Sequence, residues 1–155
     1  MNLVEELVGL IDVLQEADIE YAICGGIAVA IHGYPRFTKD IDILVRAEDL
    51  ARVRAVVGRV GFSIEGGLLR FGQDTPNERS VYRVSKSDGN ELLTLDLLIS
   101  SPALHEAWSG RERIEWRGRK LDVVSREGLV RMKRLAGRTQ DLLDIEKLSE
   151  EAQDG

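Results

Sequence analysis

Cysteine is nearly missing from this chain. Cys24 is its single example, so no intrachain disulfide forms, a disulfide-framework secreted domain is excluded and a reducing compartment is expected. Long apolar runs are missing too. None approaches the roughly 18 to 20 residues of a spanning helix, and the acidic start, with Glu5 and Glu6 after Met1-Asn2-Leu3-Val4, does not suit a signal peptide. The expected location is cytoplasmic, with no membrane partner. Net positive charge is also lacking: 21 basic against 27 acidic side chains give −6, which argues against a protein that coats nucleic acid by charge alone. The chain has no internal repeat, low-complexity tract or linker. His32 and His105 have no Cys or His at zinc-ligand spacing, and neither Gly-x-Gly-x-x-Gly nor Gly-x4-Gly-Lys-Ser/Thr occurs.

What is present is the composition of one domain. The 155 residues are 43% apolar and 31% charged, and a chain of this size buries roughly 68 to 70% of its unfolded surface without metals or disulfides. Charge is unevenly placed. Residues 1–110 carry 10 basic and 17 acidic side chains, 111–140 carry 10 and 4, and 141–155 carry 1 and 6, so a basic belt lies between two acidic stretches.

Leu3, Leu7, Leu10, Ile11 and Leu14 predict an amphipathic helix over 2–17. A buried strand at 21–24, a turn at Gly25-Gly26, a short helix at 27–32, a strand at 40–45 and a helix at 48–60 stopped by Gly61 follow. Residues 62–99 read as strands at 62–65, 68–71, 80–85 and 91–99; Gly66-Gly67 separates the first two, and Asp88-Gly89 marks a hairpin between the last two. Ser101-Pro102 predicts a helix start, running to about Trp108. A second hairpin is expected around Gly118, from 113–116 and 121–124. Ser125 and Thr139 are read as N-caps of helices at 126–136 and 140–151, joined at Gly137. The expectation is a single domain over 1–155, with a sheet core over 1–124 and a helical extension over 125–151.

On a strand, Asp40, Asp42 and Leu44 share one face and Ile41, Ile43 and Val45 the other. Leu93, Leu95, Leu97 and Ile99 likewise form an aliphatic face that leaves Thr94 and Asp96 opposite it. If the two strands are neighbours on the same helices, three aspartates converge on the other face. Two ionised carboxylates about 5 Å apart repel by about 3 kcal/mol at an effective dielectric of 20. A divalent cation removes that cost, and oxygen-only donors suit Mg²⁺ or Mn²⁺ rather than zinc. An Asp-x-Asp alone also fits ordinary solvent-facing strand residues. Gly25-Gly26, between strand and helix, lets a backbone approach a ligand at a helix start that favours phosphate; a plain tight turn is the competing reading.

Gly25-Gly26, thirteen residues, Asp40-Ile41-Asp42-Ile43 and a later Leu95-Asp96-Leu97 together resemble the signature of the nucleotidyltransferase superfamily related to DNA polymerase β. The run from Gly25 to Asp42 is similar to small bacterial members, particularly minimal nucleotidyltransferases and abortive-infection toxins of type IV toxin–antitoxin systems. Residues 129–145 are similar to the helical segment of those proteins, so the likeness spans about 20–148. It implies an α/β (α+β) nucleotidyltransferase fold: a mixed sheet with helices on one face and an open active-site cleft on the other, plus C-terminal helices, 1–124 being the catalytic core.

By this resemblance Gly25 and Gly26 hold the triphosphate of an NTP, Asp40 and Asp42 bind two Mg²⁺ ions (or Mn²⁺), and Asp96 joins one metal and helps deprotonate the attacking hydroxyl. Many members have serine second in the glycine turn; Gly26 leaves the phosphate grip to backbone N–H groups and basic side chains. Arg36 and Lys39 stand just before the metal strand, and Lys133 matches the lysine of the C-terminal segment, with Thr38, Arg138 and Asp141 in support. Asp141 and Asp144 either orient Lys133 or Arg138 or form ordinary surface ion pairs. The expected activity is Mg²⁺-dependent transfer of a nucleoside monophosphate from an NTP such as ATP to a hydroxyl of tRNA or a partner protein, as in a toxin–antitoxin pair with an antitoxin partner. The alternatives are an antibiotic nucleotidyltransferase and a non-catalytic nucleotide- or partner-binding protein.

Overall fold

The computed structural model describes residues 1–34 and 38–154, with side chains through Ser149. Helical spacing puts Leu7, Leu10, Ile11 and Leu14 on the buried side of α1 (Leu3–Glu16), whose first turn is capped by the Asn2 side chain. Then come β1 (Ala22–Cys24), α2 (Gly25–Ile31), β2 (Asp40–Val45), a 3₁₀ turn (Ala47–Asp49) leading into α3 (Leu50–Gly58), β3 (Ile64–Phe71), β4 (Arg79–Asp88) and β5 (Glu91–Ile99). A second 3₁₀ turn (Pro102–Leu104) enters α4 (His105–Ser109), and β6 (Glu112–Trp116), β7 (Arg119–Val123), α5 (Arg126–Ala136) and α6 (Thr139–Asp154) complete the chain.

The strands form one mixed sheet in the order β3-β4-β5-β2-β1-β7-β6. The pairs β2–β5 and β1–β7 are parallel and the other neighbours antiparallel. Alternation assigns the faces. Ile41, Ile43, Val45, Leu95 and Leu97 are fully buried on the face toward α1 and α3. Lys86 of β4 pairs with Glu6 of α1 at 2.9 Å on that side, and Arg54 of α3 stacks on Tyr82 of β4 at 4.2 Å. The other face carries the aspartates, and α5 roofs part of it, so the cleft lies between the sheet and that helix.

Several local expectations are corrected. Gly66-Gly67 does not separate two strands: 64–71 is one strand, with a bulge between Glu65 and Gly67 and Gly67 at φ +86°. The 48–60 helix begins as a 3₁₀ turn. Ser101 makes no side-chain cap; its hydroxyl donates to the Glu78 carbonyl at 3.1 Å. Thr139 is the first helical residue of α6 rather than its cap, and Asp141 reaches back to accept the Arg138 N–H at 3.1 Å. Ser125 does cap α5, accepting the Gly128 N–H at 3.1 Å, and Gly137 ends that helix in the left-handed conformation.

The cap on α5 matters because this helix forms the roof of the cleft. Ser125→Ala should cost about 1 kcal/mol of stability, read as a lowered urea midpoint. An unchanged midpoint would mean that core contacts alone fix the start of α5.

Candidate active site

Register builds the site. Asp42 lies directly opposite Asp96 across β2 and β5, and the same row continues to Cys24 on one side and Arg83 on the other. Residues paired across neighbouring strands point to the same face, about 4.7–4.9 Å apart along the row. Asp40, two residues before Asp42, is on that face too and is exposed. Asp42 and Asp96 thus stand side by side, with the exposed Asp40 on the same face of the sheet.

Gly25 makes that closeness sterically workable. It opens α2 at φ +66°, and a Cβ there would run into the Asp42 carboxylate. Burial, then the charges of Asp96 and Asp40, push the Asp42 carboxyl up to about 7. Cys24, fully buried beside it, has its thiol driven well above its ordinary value, first by burial and then by the Asp42 charge; it packs as a small hydrophobe.

Asp96 has a direct cationic partner. Arg83 Nε and Nη2 donate to Asp96 Oδ1 and Oδ2 at 2.8 and 3.1 Å. The register expectation for this arginine was available in the sequence: counting back from the two-residue turn that pairs Asp88 with Glu91 puts Arg83 opposite Asp96. It was not among the candidate residues.

A cavity of about 330 Å³ lies over this row. Gly25, Asp42, Asp96 and Arg83 line its sheet side near the carboxylates, while Leu69, Phe71, Val81 and Leu98 extend it as an apolar floor. Leu129, Met132, Lys133 and Ala136 of α5 form the opposite wall, with Arg138 and Asp141 at the start of α6. Gly26 is buried in the first turn of α2 instead of facing this space.

Lys133 is buried, not a solvated helix residue. Its Nζ lies 2.9 Å from Asp144 and 3.7 Å from Asp141, and all three side chains are at most 6% exposed. Arg138, largely exposed, binds Asp141 at 2.8 Å. Burial alone would raise the Asp141 pKa, but hydrogen bonds and charge from Arg138, with Lys133 behind, outweigh it and hold the carboxyl below its ordinary value. The choice between surface ion pairs and an internal network is thus resolved: it is internal.

Lys39 is exposed and does not line the cavity, and the Thr38 hydroxyl donates to the Asp40 carbonyl at 3.3 Å. Arg36 lies outside the described residues. Among the described residues, no three His, Cys, Asp or Glu side chains stand together as a ready metal cluster. The donor chemistry nonetheless fits a hard divalent ion: oxygen ligands only, two of them at strand spacing, and one carboxyl driven toward its protonated form by burial and then by its neighbours' charge.

The model of the family described as aminoglycoside-2''-adenylyltransferase matches residues 6–148. Among solved structures, the chain is similar to ANT(2'')-Ia in complex with adenylyl-2''-tobramycin, with TM-score 0.65 and 17% identity over 96% of this chain and 88% of that one. It is similar to the lincosamide antibiotic adenylyltransferase LnuA with lincomycin bound, with TM-score 0.63 and 18% identity over 94% and 95%. The nucleotidyltransferase TM1012 of Thermotoga maritima gives TM-score 0.61 and 17% identity over 96% and 92%. At these identities the structural likeness speaks for the fold. No curated protein matches the chain.

The raised Asp42 pKa has a signed consequence. With the folded value near 7 and the unfolded value near 3.8, folding stability falls as pH rises between the two, and the full cost, about 4 kcal/mol, applies above pH 7. Asp42→Asn should therefore raise the metal-free Tm at pH 8, with the gain shrinking toward pH 4. A variant whose Tm follows the same pH curve as the wild type would show that another group titrates.

Proposed function

The chain belongs to the aminoglycoside-2''-adenylyltransferase family, a nucleotidyltransferase, and from that premise we propose that it moves AMP from ATP to a hydroxyl of a small-molecule acceptor in a divalent-metal-dependent reaction. The observation that carries this reading is the direct opposition of Asp42 and Asp96 beside the Gly25 turn, on the floor of the cleft under α5.

Asp40 and Asp42 are the proposed ligands of Mg²⁺, with Asp96 as a shared third ligand. Divalent ions held there would neutralise phosphate charge, lower the pKa of the attacking hydroxyl and keep the attacking and leaving oxygens in line. Asp96 would receive the proton of the acceptor hydroxyl as the hydroxyl oxygen bonds to the α-phosphorus and the bond to pyrophosphate breaks. Arg138 and Lys133, on the cavity wall, are the cations suited to the triphosphate and departing pyrophosphate. Lys133 does so from a fixed position, since Asp141 and Asp144 hold its ammonium. Gly25 contributes by letting Asp42 approach the turn, and Arg36 and Lys39 stand by sequence at the entrance to β2. In this reading the chain works as one unit, because 1–124 supplies the carboxylates and 125–151 the roof.

A small acceptor is favoured over tRNA because several basic side chains of the belt are held by acids of the same fold. Arg113 pairs with Asp122, Arg119 with Asp12, Arg131 with Glu106 and Arg138 with Asp141. Those pairs lower the charge that the belt offers to the phosphates of a polyanion.

Incubation with α-labelled ATP and Mg²⁺, in parallel with aminoglycosides, a lincosamide, bulk tRNA and cell protein, tests the proposal. Label should move to a small molecule, and Asp42→Asn should lower its rate by at least about 100-fold, the several kcal/mol expected of lost metal charge stabilisation. Labelled tRNA or protein with no labelled small molecule would overturn the acceptor assignment, and undiminished labelling by Asp42→Asn the metal assignment.

A further inference from the structure

Arg83 takes no part in the chemistry above, yet it grips the residue assigned as the base. The guanidinium meets both Asp96 oxygens, at 2.8 and 3.1 Å, in the two-point geometry that suits arginine and carboxylate. Room for the arginine stem is built into the neighbouring strand: a Cβ on Gly66 would stand 2.9 Å from Arg83 Cγ and 3.1 Å from its Cβ. Asp96 is held in place, with 12% of its side chain exposed, whereas 44% of the Arg83 side chain is exposed at the cavity edge. The carboxylate is the fixed member of the pair and the cation the one with freedom to move. Among the described residues, Asp96 alone of the three aspartates is in an ion pair.

We propose that Arg83 is the resident counter-cation of Asp96: in the substrate-free protein its guanidinium fills the charge position that a divalent ion takes on loading, and it gives up at least one carboxylate oxygen when metal enters with the nucleotide. The inference rests on the reading of Asp40, Asp42 and Asp96 as metal ligands. A divalent ion on either Asp96 oxygen stands beside the guanidinium, and its double charge doubles the repulsion between two unit cations. The two cations therefore compete. A triphosphate offers the displaced guanidinium new anionic oxygens in the planar arrangement it prefers. Metal and nucleotide are then bound together more tightly than either alone, a reciprocal coupling. Arg83 acts through Asp96, as a positioning residue.

Mn²⁺ binding to the full chain, followed by the electron paramagnetic resonance of the free ion with and without a non-hydrolysable ATP analogue, tests this in the wild type, Arg83→Gln and Arg83→Lys. Without nucleotide, Arg83→Gln should bind Mn²⁺ about tenfold more tightly than the wild type, and the tightening produced by the analogue should shrink by a similar factor. Arg83→Lys keeps the charge but loses the fork, and should stay within about threefold of the wild type. Equal or weaker Mn²⁺ binding by Arg83→Gln overturns the inference and leaves the metal reading standing; no binding by any of the three overturns both. Because Arg83→Gln strips Asp96 of its partner and can misfold, the wild type is examined as well. Its Arg83 Nε–H resonance, assigned by its loss in Arg83→Lys, should shift when Mg²⁺ and the analogue are added together. A resonance unmoved at saturation overturns the inference.

Discussion

Two carboxylates set side by side on adjacent central strands are the constraint around which the rest of this structure is arranged. Strand pairing fixes Asp42 opposite Asp96, so neither can retreat without breaking the sheet register that also buries Ile41, Ile43, Leu95 and Leu97 on the opposite face. The core therefore enforces the repulsion. Around it, Gly25 vacates the space that the Asp42 carboxylate occupies, and Arg83 answers the charge of Asp96. Asp42, in no ion pair among the described residues, is pushed by burial and then by the charges of Asp96 and Asp40 to titrate at about 7. Carboxylates crowded in this way would be relieved by a divalent ion, as the proposed reaction requires.

The roof of the cavity depends on a second charged arrangement, of opposite balance. Lys133 is enclosed between Asp141 and Asp144, so α5 and α6 are joined by ions that would each be expensive if left unpaired. Arg138 then ties the exposed side of Asp141. The wall facing the carboxylates is rigidly polar at one end and apolar, through Leu129 and Met132, at the other.

How far the sequence revealed this follows from the range over which each feature is determined. The alternation Asp40-Ile41-Asp42-Ile43 and the aliphatic face of β5 are local properties of a period-two strand, and they located both carboxylate strands and the faces of both. The parallel joining of those strands is a long-range pairing, and the partnership of Arg83 with Asp96 needed the register of a hairpin to be counted through six pairs, steps that composition and periodicity do not prompt. Gly66-Gly67 resembled a turn because glycine pairs usually punctuate strands; only the space taken by the Arg83 stem explains a bulge there. In α6 the ordinary polarity is reversed, with Asp141 and Asp144 buried while Leu142 and Leu143 are 57% and 51% exposed. Hydropathy reads such a helix inside out, which is why the sequence left its acids open between an internal role and surface pairs.

The bulge in β3 also bears on how copies of the chain meet. β3 is an edge strand of eight residues that displays Ile64, Leu68, Leu69 and Phe71, the kind of border on which another molecule's backbone adds itself and starts a stack. An extra residue at Gly66-Gly67 breaks the regular spacing of amide and carbonyl groups along that border. The accommodation made for one arginine thus doubles as a guard against runaway self-association.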